Sequence, residues 1–231
     1  MSNPAGDSIS GPTPPARGAV PFMGKGCVMK RVIAYVDGFN LYFGLRAKGW
    51  RRFYWLNIQQ VSLHLLKPDQ TLAATKYFTA KVKYPPDKQR RQVTFLEALG
   101  TLPDFHIYYG HYQADKITCR KCGHTYTTHH EKMTDVNIAM ELLTDAFQDN
   151  FDIALLISAD GDLVGPVEKV KQLFPQKRLI VVFPPKRYSN ALKSVADVCL
   201  HLDRATLAKS VLPDEVVKAD GFVLRRPSRW R

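Results

Sequence analysis

The feature that most constrains the fold is a regular alternation of strand-like and helix-like segments along the chain. The segment FDIALLIS (residues 151–158) is almost entirely apolar, which is typical of a strand covered on both faces by helices. The preceding segment, DVNIAMELLTDAF (135–147), places its apolar residues on one side of a helix. Strands and helices that alternate in this way favour a parallel sheet between two helical layers.

The alternation covers most of the chain. Strands are predicted over residues 32–36, 76–82, 105–113, 151–158, 178–184 and 198–202. Helices are predicted over residues 39–47, 87–100, 135–147, 163–174 and 190–197. Pro85 and Pro86 stand where proline is favoured, at the start of the second helix. We therefore expect an α/β protein with a three-layer α/β/α architecture and a central, mostly parallel sheet.

The two ends of the chain differ in composition from this region. Residues 1–29 are rich in Pro, Gly, Ser and Ala, which predicts a disordered tail without the apolar core of a signal peptide. Residues 206–231 are polar and end in RRPSRWR, which predicts a basic C-terminal tail. One folded domain is expected over residues 30–205, with a small Cys/His-bearing insertion at 114–131.

The overall charge bears on the partner. Lys and Arg exceed Asp and Glu by 33 to 21, a net charge of +12. This excess suits nucleic acid or an anionic membrane surface, although many basic proteins bind neither. No apolar run approaches the roughly 20 residues of a membrane helix, so no membrane association is expected. Four cysteines, with only two close together, favour a reducing cytoplasm over a disulfide framework.

Acidic residues follow the predicted strands at the edge where parallel sheets bind ligands. Asp37 follows the first strand, with Asn40 one turn later, and Asp160 and Asp162 follow the apolar strand. Asp135 begins the helix that leads into that strand. Each acid alone has an ordinary explanation as a turn residue or a helix cap. Together, four carboxylates at one edge would repel each other unless a cation lies among them.

The chemistry of these oxygen ligands indicates a metal site. Oxygen-only ligands select a hard divalent ion such as Mg²⁺ or Mn²⁺. Two such ions roughly 4 Å apart can activate a water and stabilise the leaving oxygen of a phosphodiester. Asn40 would add a neutral oxygen ligand or hold a water, and Ser158 would hydrogen-bond the substrate or the acids.

Three segments resemble the acidic motifs of the NYN domain, a PIN-like nuclease group also described as LabA-like or DUF88. They are YVDGFNLYFGL, EKMTDVNIAMELL and LLISADGDLVGPVEKVK, and SNALKSVADVCLHLD resembles the end of that domain. The resemblance runs from about residue 30 to 204. It implies a PIN-like (Rossmann-like) fold and metal-dependent ribonuclease activity. It assigns the metal to Asp37, Asp135, Asp160 and Asp162, with Asn40 as a supporting polar residue.

The segment CRKCGHTYTTHH (119–130) offers metal ligands of another kind. Cys119 and Cys122 have the spacing of one half of a zinc knuckle, and His124, His129 and His130 are candidate further ligands. In an extended segment His129 and His130 would point to opposite faces, so only one of them would join the thiolates. A structural zinc, a redox-labile pair and a pair with neither role are three open alternatives.

Basic and aromatic residues near the acids are candidate contacts to RNA. Lys132, Lys186 and Arg187 are predicted to meet phosphates beside the acids, with a solvated loop as the alternative for each. The segment WRRFYW (50–55) interleaves aromatic and basic residues. This pattern suits the stacking of single-stranded bases, or a strand with one side in the core, which is favoured for Phe53 and Trp55.

The leading hypothesis is a Mg²⁺- or Mn²⁺-dependent endoribonuclease that acts on single-stranded RNA. Its catalytic residues would be Asp37, Asn40, Asp135, Asp160 and Asp162. The alternative is a non-catalytic RNA-binding or regulatory module, and a homo-oligomer is compatible with either. A phosphatase of the haloacid-dehalogenase type is disfavoured because Phe39 stands where that chemistry needs a second aspartate.

Overall fold

The computed structural model describes residues 29–231, except for the side chains of residues 112–116 and 127–131. The predicted N-terminal tail, apart from Met29, therefore lies outside the described residues. Among the described residues, no helix has both the length and the apolar character needed to cross a membrane.

A central sheet organises the molecule. Its strands are β1 (Lys30–Asp37), β2 (Gln70–Ala80), β3 (Phe105–Thr118), β4 (Thr125–Lys132), β5 (Ile153–Ile157), β6 (Arg178–Phe183) and β7 (Val198–His201). The spatial order is β4-β3-β2-β1-β5-β6-β7. Neighbouring strands are parallel except for the antiparallel pair β3 and β4. All five residues of β5 are buried, as expected for a strand covered on both faces.

Seven helices cover the two faces of this sheet in the described part of the chain. They are α1 (Gly38–Ala47), α2 (Ile58–Leu63), α3 (Pro86–Leu99), α4 (Thr134–Phe147), α5 (Val164–Leu173), α6 (Asn190–Val195) and α7 (Arg204–Lys209). Residues of α1, α2, α3 and α7 join one apolar core, and residues of α4, α5 and α6 join the other. The predicted three-layer α/β/α fold with a mostly parallel sheet is confirmed.

The strand order creates a switch point between β1 and β5. From β1 the chain proceeds outward through β2 and β3, then crosses back so that β5 pairs with the other side of β1. Val36 and Ile157 are paired near the carboxyl ends of these two strands. Connections that leave a parallel sheet in opposite directions open a crevice at this position, where such folds bind ligands.

The Cys/His-bearing insertion differs from the prediction. Residues 114–131 were expected to be irregular, but β3 continues to Thr118 and pairs with β4 in an antiparallel hairpin. The sequence ITCRKCGHTYTT explains the difference, because β-branched residues and tyrosine flank a short turn. Gly123 has φ +70° in this turn, and its N–H donates to the Cys119 carbonyl at 2.9 Å.

The C-terminal segment also differs from the prediction. Residues 206–231 were expected to form a basic tail, but they contain most of α7, the strands β8 (Glu215–Val217) and β9 (Val223–Arg225), and a 3₁₀ turn (Ser228–Trp230). Leu212 and Leu224 are buried against Trp55 and Ala98. Apolar residues between the arginines thus find a place in the core, and the segment is part of the folded unit.

The aromatic and basic segment at residues 50–55 forms a 3₁₀ turn (Arg51–Tyr54) instead of a strand. Phe53 and Trp55 are buried, as the core interpretation predicts. The Trp55 indole Nε1–H donates to the Pro213 carbonyl at 2.8 Å. This hydrogen bond links the turn to the C-terminal segment.

Candidate active site

Three carboxylates from separate parts of the sequence converge at the switch point. Asp37 ends β1, Asp160 follows β5, and Asp135 lies in the first turn of α4. One carboxylate oxygen from each lies within 4.8 Å of the other two. A carboxylate is favoured in the first turn of a helix by the partial positive charge there, which helps to account for Asp135.

Asp37 is held by hydrogen bonds to both of its oxygens. Its Oδ1 accepts from the backbone N–H of Asn40 at 2.9 Å and thereby caps α1. Its Oδ2 accepts from the Ser158 hydroxyl at 2.9 Å. Only 3% of Asp37 is exposed, so these bonds fix a buried carboxylate at the end of β1.

Ser158 joins the two central strands. It is fully buried, and its Oγ accepts from the backbone N–H of Asp160 at 3.1 Å while it donates to Asp37. The hydroxyl therefore contacts the acids, one of the two predicted alternatives. Because Ser158 is completely buried, it has no exposed surface with which to contact a substrate.

Asn40 and Asp162 have positions that the sequence could not specify. The Asn40 Oδ1 accepts from the Ala159 N–H at 3.2 Å, so this oxygen positions the loop that follows β5. Asp160 and not Asp162 caps the 3₁₀ turn Gly161–Leu163, because its Oδ1 accepts from the Asp162 N–H at 3.1 Å. Asp162 is exposed and lies outside the three-carboxylate cluster.

The start of α4 contains a residue that sequence reasoning missed. Met133 has φ +74°, which turns the chain sharply from β4 into α4. Thr134 follows it with 5% exposure, and its Oγ1 has no hydrogen-bond partner among the described residues. Gly110 allows this close approach, because a Cβ there would lie 2.7 Å from the Lys132 carbonyl oxygen. The Thr-Asp pair before a helical pattern was the available signal.

Burial and mutual repulsion alter the acidity of the cluster. Burial raises the pKa of Asp37 to about 6, and the nearby Asp135 and Asp160 add to this effect, against the hydrogen bonds from Asn40 and Ser158. Burial also raises the pKa of Asp135 to about 6, with contributions from Asp160 and Asp162. A bound cation would relieve this repulsion.

The residues present fit a hard divalent cation. The donor set is three carboxylates, which is the oxygen chemistry that Mg²⁺ and Mn²⁺ prefer. Thr134 lines the same cleft, but its hydroxyl oxygen is buried and faces Gly110 of β3. The raised pKa values of Asp37 and Asp135 are the cost that a cation would offset.

A cleft that is open to solvent surrounds the acids. Lys132 and Arg187 line it, together with Phe39 and Phe43, and the Arg187 guanidinium lies 5.8 Å from the Phe43 ring centre. Lys186 does not line this cleft and is exposed at φ +58°. The prediction that it meets a phosphate beside the acids is therefore not supported.

The match to a family model agrees with this geometry. The model of the NYN domain matches residues 31–203, which contain all three carboxylates. The chain belongs to the NYN domain family. Membership places it in the PIN-like nuclease superfamily.

One solved structure supports the fold of this NYN domain. A protein of unknown function from Vibrio parahaemolyticus has 21% identity and a TM-score of 0.53, with 82% of this chain and 100% of that chain covered. MurG from Acinetobacter baumannii has 12% identity and a TM-score of 0.37, over 74% of this chain and 41% of its own. The second similarity is too weak to carry an argument. No curated protein gives a significant match.

The hairpin of this NYN domain carries the two cysteines at its turn. Hydrogen bonds from the backbone of Cys122 and Lys121 lower the pKa of the Cys119 thiol. His129 lies four residues beyond Thr125, the first residue of β4, a separation of about 14 Å along a strand. Zinc ligands lie about 2.0–2.3 Å from the metal. Their backbone positions thus lie well away from the turn, but the side chains of His129 and His130 are outside the described residues, and their place in a shared zinc site stays a prediction.

Zinc at the turn itself stays a prediction. Among the described side chains, no third Cys, His, Asp or Glu joins the two thiols in a cluster. A closed structural zinc site needs four ligands. The turn alone would supply half of such a site.

Proposed function

We propose that this NYN protein is a divalent-metal-dependent endoribonuclease that cleaves single-stranded RNA in the cleft around Asp37, Asp135 and Asp160. The convergence of these three carboxylates at the switch point of the sheet carries the proposal. Family membership supports nucleic acid as the substrate class. The net charge of +12 supports a polyanionic substrate.

Asp37, Asp135 and Asp160 would hold Mg²⁺ or Mn²⁺. Such a cation supplies a lowered pKa for a reacting water and compensates the charge that develops on the phosphate oxygens. Ser158 and Asn40 act indirectly, since their hydrogen bonds fix Asp37, Asp160 and the loop between the two strands. These hydrogen bonds hold the carboxylates in position before a substrate binds.

Other residues of the cleft would hold the substrate. Lys132 and Arg187 are proposed to contact phosphates on either side of the reacting bond, as charged side chains do in nucleic-acid complexes. Asp162, exposed at the rim and near enough to raise the pKa of Asp135, adds negative charge that favours cation binding.

Cleavage of end-labelled single-stranded RNA tests the proposal. We expect cleavage with Mg²⁺ or Mn²⁺, none with EDTA, and a loss of at least about 100-fold in Asp160→Asn. Asp104→Asn is the matched control, because Asp104 is exposed and precedes β3 at the opposite edge of the sheet. Its activity should stay within about twofold of wild type.

Two outcomes would separate the alternatives. Cleavage that survives both EDTA and Asp160→Asn would exclude the metal mechanism. RNA binding without cleavage under any metal condition would instead favour the non-catalytic RNA-binding module.

A further inference from the structure

A second cavity lies beside the acidic cleft. It is open to solvent, and apolar and aromatic side chains make up most of its lining. Phe39 lines both the cavity and the acidic cleft, since it stands between Asp37 and Asn40 in sequence. None of the residues that line the cavity is a carboxylate. The cavity therefore lies beside the acidic cleft but has no acidic side chain in its own lining.

Partly exposed aromatic rings form much of its wall. Tyr42 and Tyr54 have ring centres 5.0 Å apart, and Tyr54 meets Trp230 edge to face at 5.9 Å. All three residues are only half-buried, so the protein leaves part of each ring uncovered. Uncovered rings in a groove are the surfaces on which single-stranded bases stack.

Two basic side chains of α3 also line the cavity. Lys88 and Arg91 line it, and the Lys88 Nζ lies 5.7 Å from the centre of the Tyr42 ring. Within the described part of the chain, neither has a carboxylate at ion-pair distance, and the neighbouring Asp87 pairs with Arg90. Burial, with Arg46 and Arg91 nearby, lowers the pKa of Lys88. An anion from outside the protein would compensate this positive charge.

The C-terminal segment builds one side of the cavity. Trp230 lies beyond residue 203, where the match to the NYN family model ends. The Arg226 guanidinium holds the segment in place, because its Nη2 donates to the Trp230 carbonyl at 2.6 Å and the Arg52 carbonyl at 2.8 Å. Arg226 is only 9% exposed, so this attachment is well protected. The cavity is thus a feature of this chain and not of the family domain alone.

We propose that this cavity binds one nucleobase of the single-stranded RNA whose neighbouring phosphodiester lies at the aspartate cluster. Tyr42, Tyr54 and Trp230 supply the aromatic faces, and Lys88 and Arg91 bind the phosphate next to that base. The shared wall at Phe39 connects the base to the reacting bond. The inference rests on the proposed function for the identity of the strand, but its test does not require cleavage.

Binding of a fluorescein-labelled 12-nucleotide RNA tests the cavity, measured by anisotropy with the full chain carrying Asp160→Asn. Adding Lys88→Gln and Arg91→Gln should weaken binding about tenfold or more and reduce the salt slope by about one to two. Tyr54→Leu should weaken binding about tenfold through lost stacking. Lys169→Gln is the matched control, since Lys169 is exposed on α5 at the other face of the sheet and donates to Gln172 at 3.2 Å.

A scan with single abasic nucleotides adds a test of position. One abasic position should weaken binding to the parent chain by about fivefold or more, and Tyr54→Leu should abolish that penalty. An equal penalty in both chains, or glutamine variants within twofold of the parent, would overturn the proposal. Tyr42→Leu serves the same purpose if Tyr54→Leu does not fold.

The remaining outcomes separate this inference from the proposed function. Weakened binding in the cavity variants, without cleavage by the wild type, would support the base site and reject the nuclease. Cleavage with unchanged KM in the cavity variants would reject the base site and leave the nuclease intact. Competition by a free nucleoside monophosphate at micromolar concentration would indicate a free-nucleotide site and overturn the assignment to a strand.

Discussion

Asp37 has three structural roles. It ends β1, caps α1 and contributes to the aspartate cluster while only 3% exposed. Burial of a carboxylate favours its neutral form, so the fold is stabilised by protonation of this group when no cation is bound. Without a cation, the ionised form of Asp37 therefore destabilises the folded protein.

A pH-dependent stability follows from this residue. Folding raises the pKa of Asp37 from 3.8 to about 6. Its contribution to stability is thus complete below about pH 4 and is lost as the pH rises through about 6. In EDTA, Asp37→Asn should be more stable than wild type by about 2 kcal/mol at pH 7, and the difference should shrink by about 1 kcal/mol at pH 5.

Urea unfolding of both chains at the two pH values measures this effect. Asp104→Asn, with its exposed side chain, should show no such trend. A stability difference between Asp37→Asn and wild type that is the same at pH 5 and pH 7 would contradict the assignment.

Asp37, Asp135 and Asp160 could be brought together from the sequence because of where they lie relative to the strands and helices. Asp37 and Asp160 follow adjacent parallel strands, and Asp135 begins a helix, so topology alone brings them to one edge. The roles of Asn40 and Ser158 depend on hydrogen bonds about 3 Å long. Distances on that scale are not encoded in periodicity, and the buried Thr134 was missed for the same reason.

At the scale of elements, the contact between β3 and the start of α4 positions Asp135. A Cβ at Gly110 would lie 2.7 Å from the Lys132 carbonyl oxygen and 2.8 Å from the Thr134 Oγ1. Gly110→Ala should displace the helix start, weaken Mn²⁺ binding about tenfold and cost about 1–3 kcal/mol of stability. Calorimetric Mn²⁺ titration and urea unfolding measure the two effects.

Gly165→Ala is the control for this substitution. Gly165 lies in α5, and a Cβ there would meet nothing within 4 Å. Alanine should leave Mn²⁺ binding unchanged and increase stability by about 0.5–1 kcal/mol. Equal effects of the two alanines on Mn²⁺ affinity would show that the Gly110 contact does not position Asp135.

A buried ion-pair network attaches α4 to the sheet. The Lys76 Nζ lies 2.6 Å from the Asp145 Oδ2 and 2.7 Å from the Glu141 Oε2, and the Tyr35 hydroxyl donates to Asp145. Lys76→Met would leave Asp145, which is 3% exposed, as a buried charge without its cation. The loss should be about 3–5 kcal/mol.

Lys171→Met provides the comparison in urea unfolding. Lys171 pairs with Asp197 at 2.7 Å, but its side chain is 34% exposed against 10% for Lys76. Water therefore compensates the partner, and the loss should stay below about 1 kcal/mol. Similar losses for the two methionine variants would indicate that the Lys76 network is not effectively buried.

Element types were predictable wherever the apolar periodicity was strong. Strands β1 and β5 and helices α3 and α4 lie within a few residues of their predicted bounds. The hairpin of β3 and β4 was not predicted, because its polar sequence has no apolar periodicity and its stability comes from strand pairing. The ion pair between Lys76 and Asp145 could not be predicted either, since no sequence pattern links these two residues.

At the scale of the whole molecule, the folded unit extends beyond the NYN family match. The match ends at residue 203, yet Leu212 and Leu224 are buried against Trp55. Burying each of these leucines contributes about 1.5–3 kcal/mol. Removal of residues 204–231 also removes the fully buried Leu207, so it should lower the free energy of unfolding by about 4.5–9 kcal/mol.

Thermal or urea unfolding of the shortened and full chains measures this contribution. Leu224→Ala is the milder variant and should cost about 2–4 kcal/mol. Unchanged stability on removal of the segment would show that the C-terminal residues do not share the core. The sequence alone predicted a tail because the apolar residues there are few and widely spaced among charged ones.

The central claim is that Asp37, Asp135 and Asp160 together hold a divalent cation. Anomalous diffraction from crystals soaked in Mn²⁺ at pH 7.5 tests it most directly, since it locates the ion without reference to activity. We predict one strong peak within about 2.0–2.6 Å of an oxygen from each of the three carboxylates, absent in Asp160→Asn. A wild-type crystal saturated with Mn²⁺ that shows no peak there, or an unchanged peak in Asp160→Asn, would contradict the account.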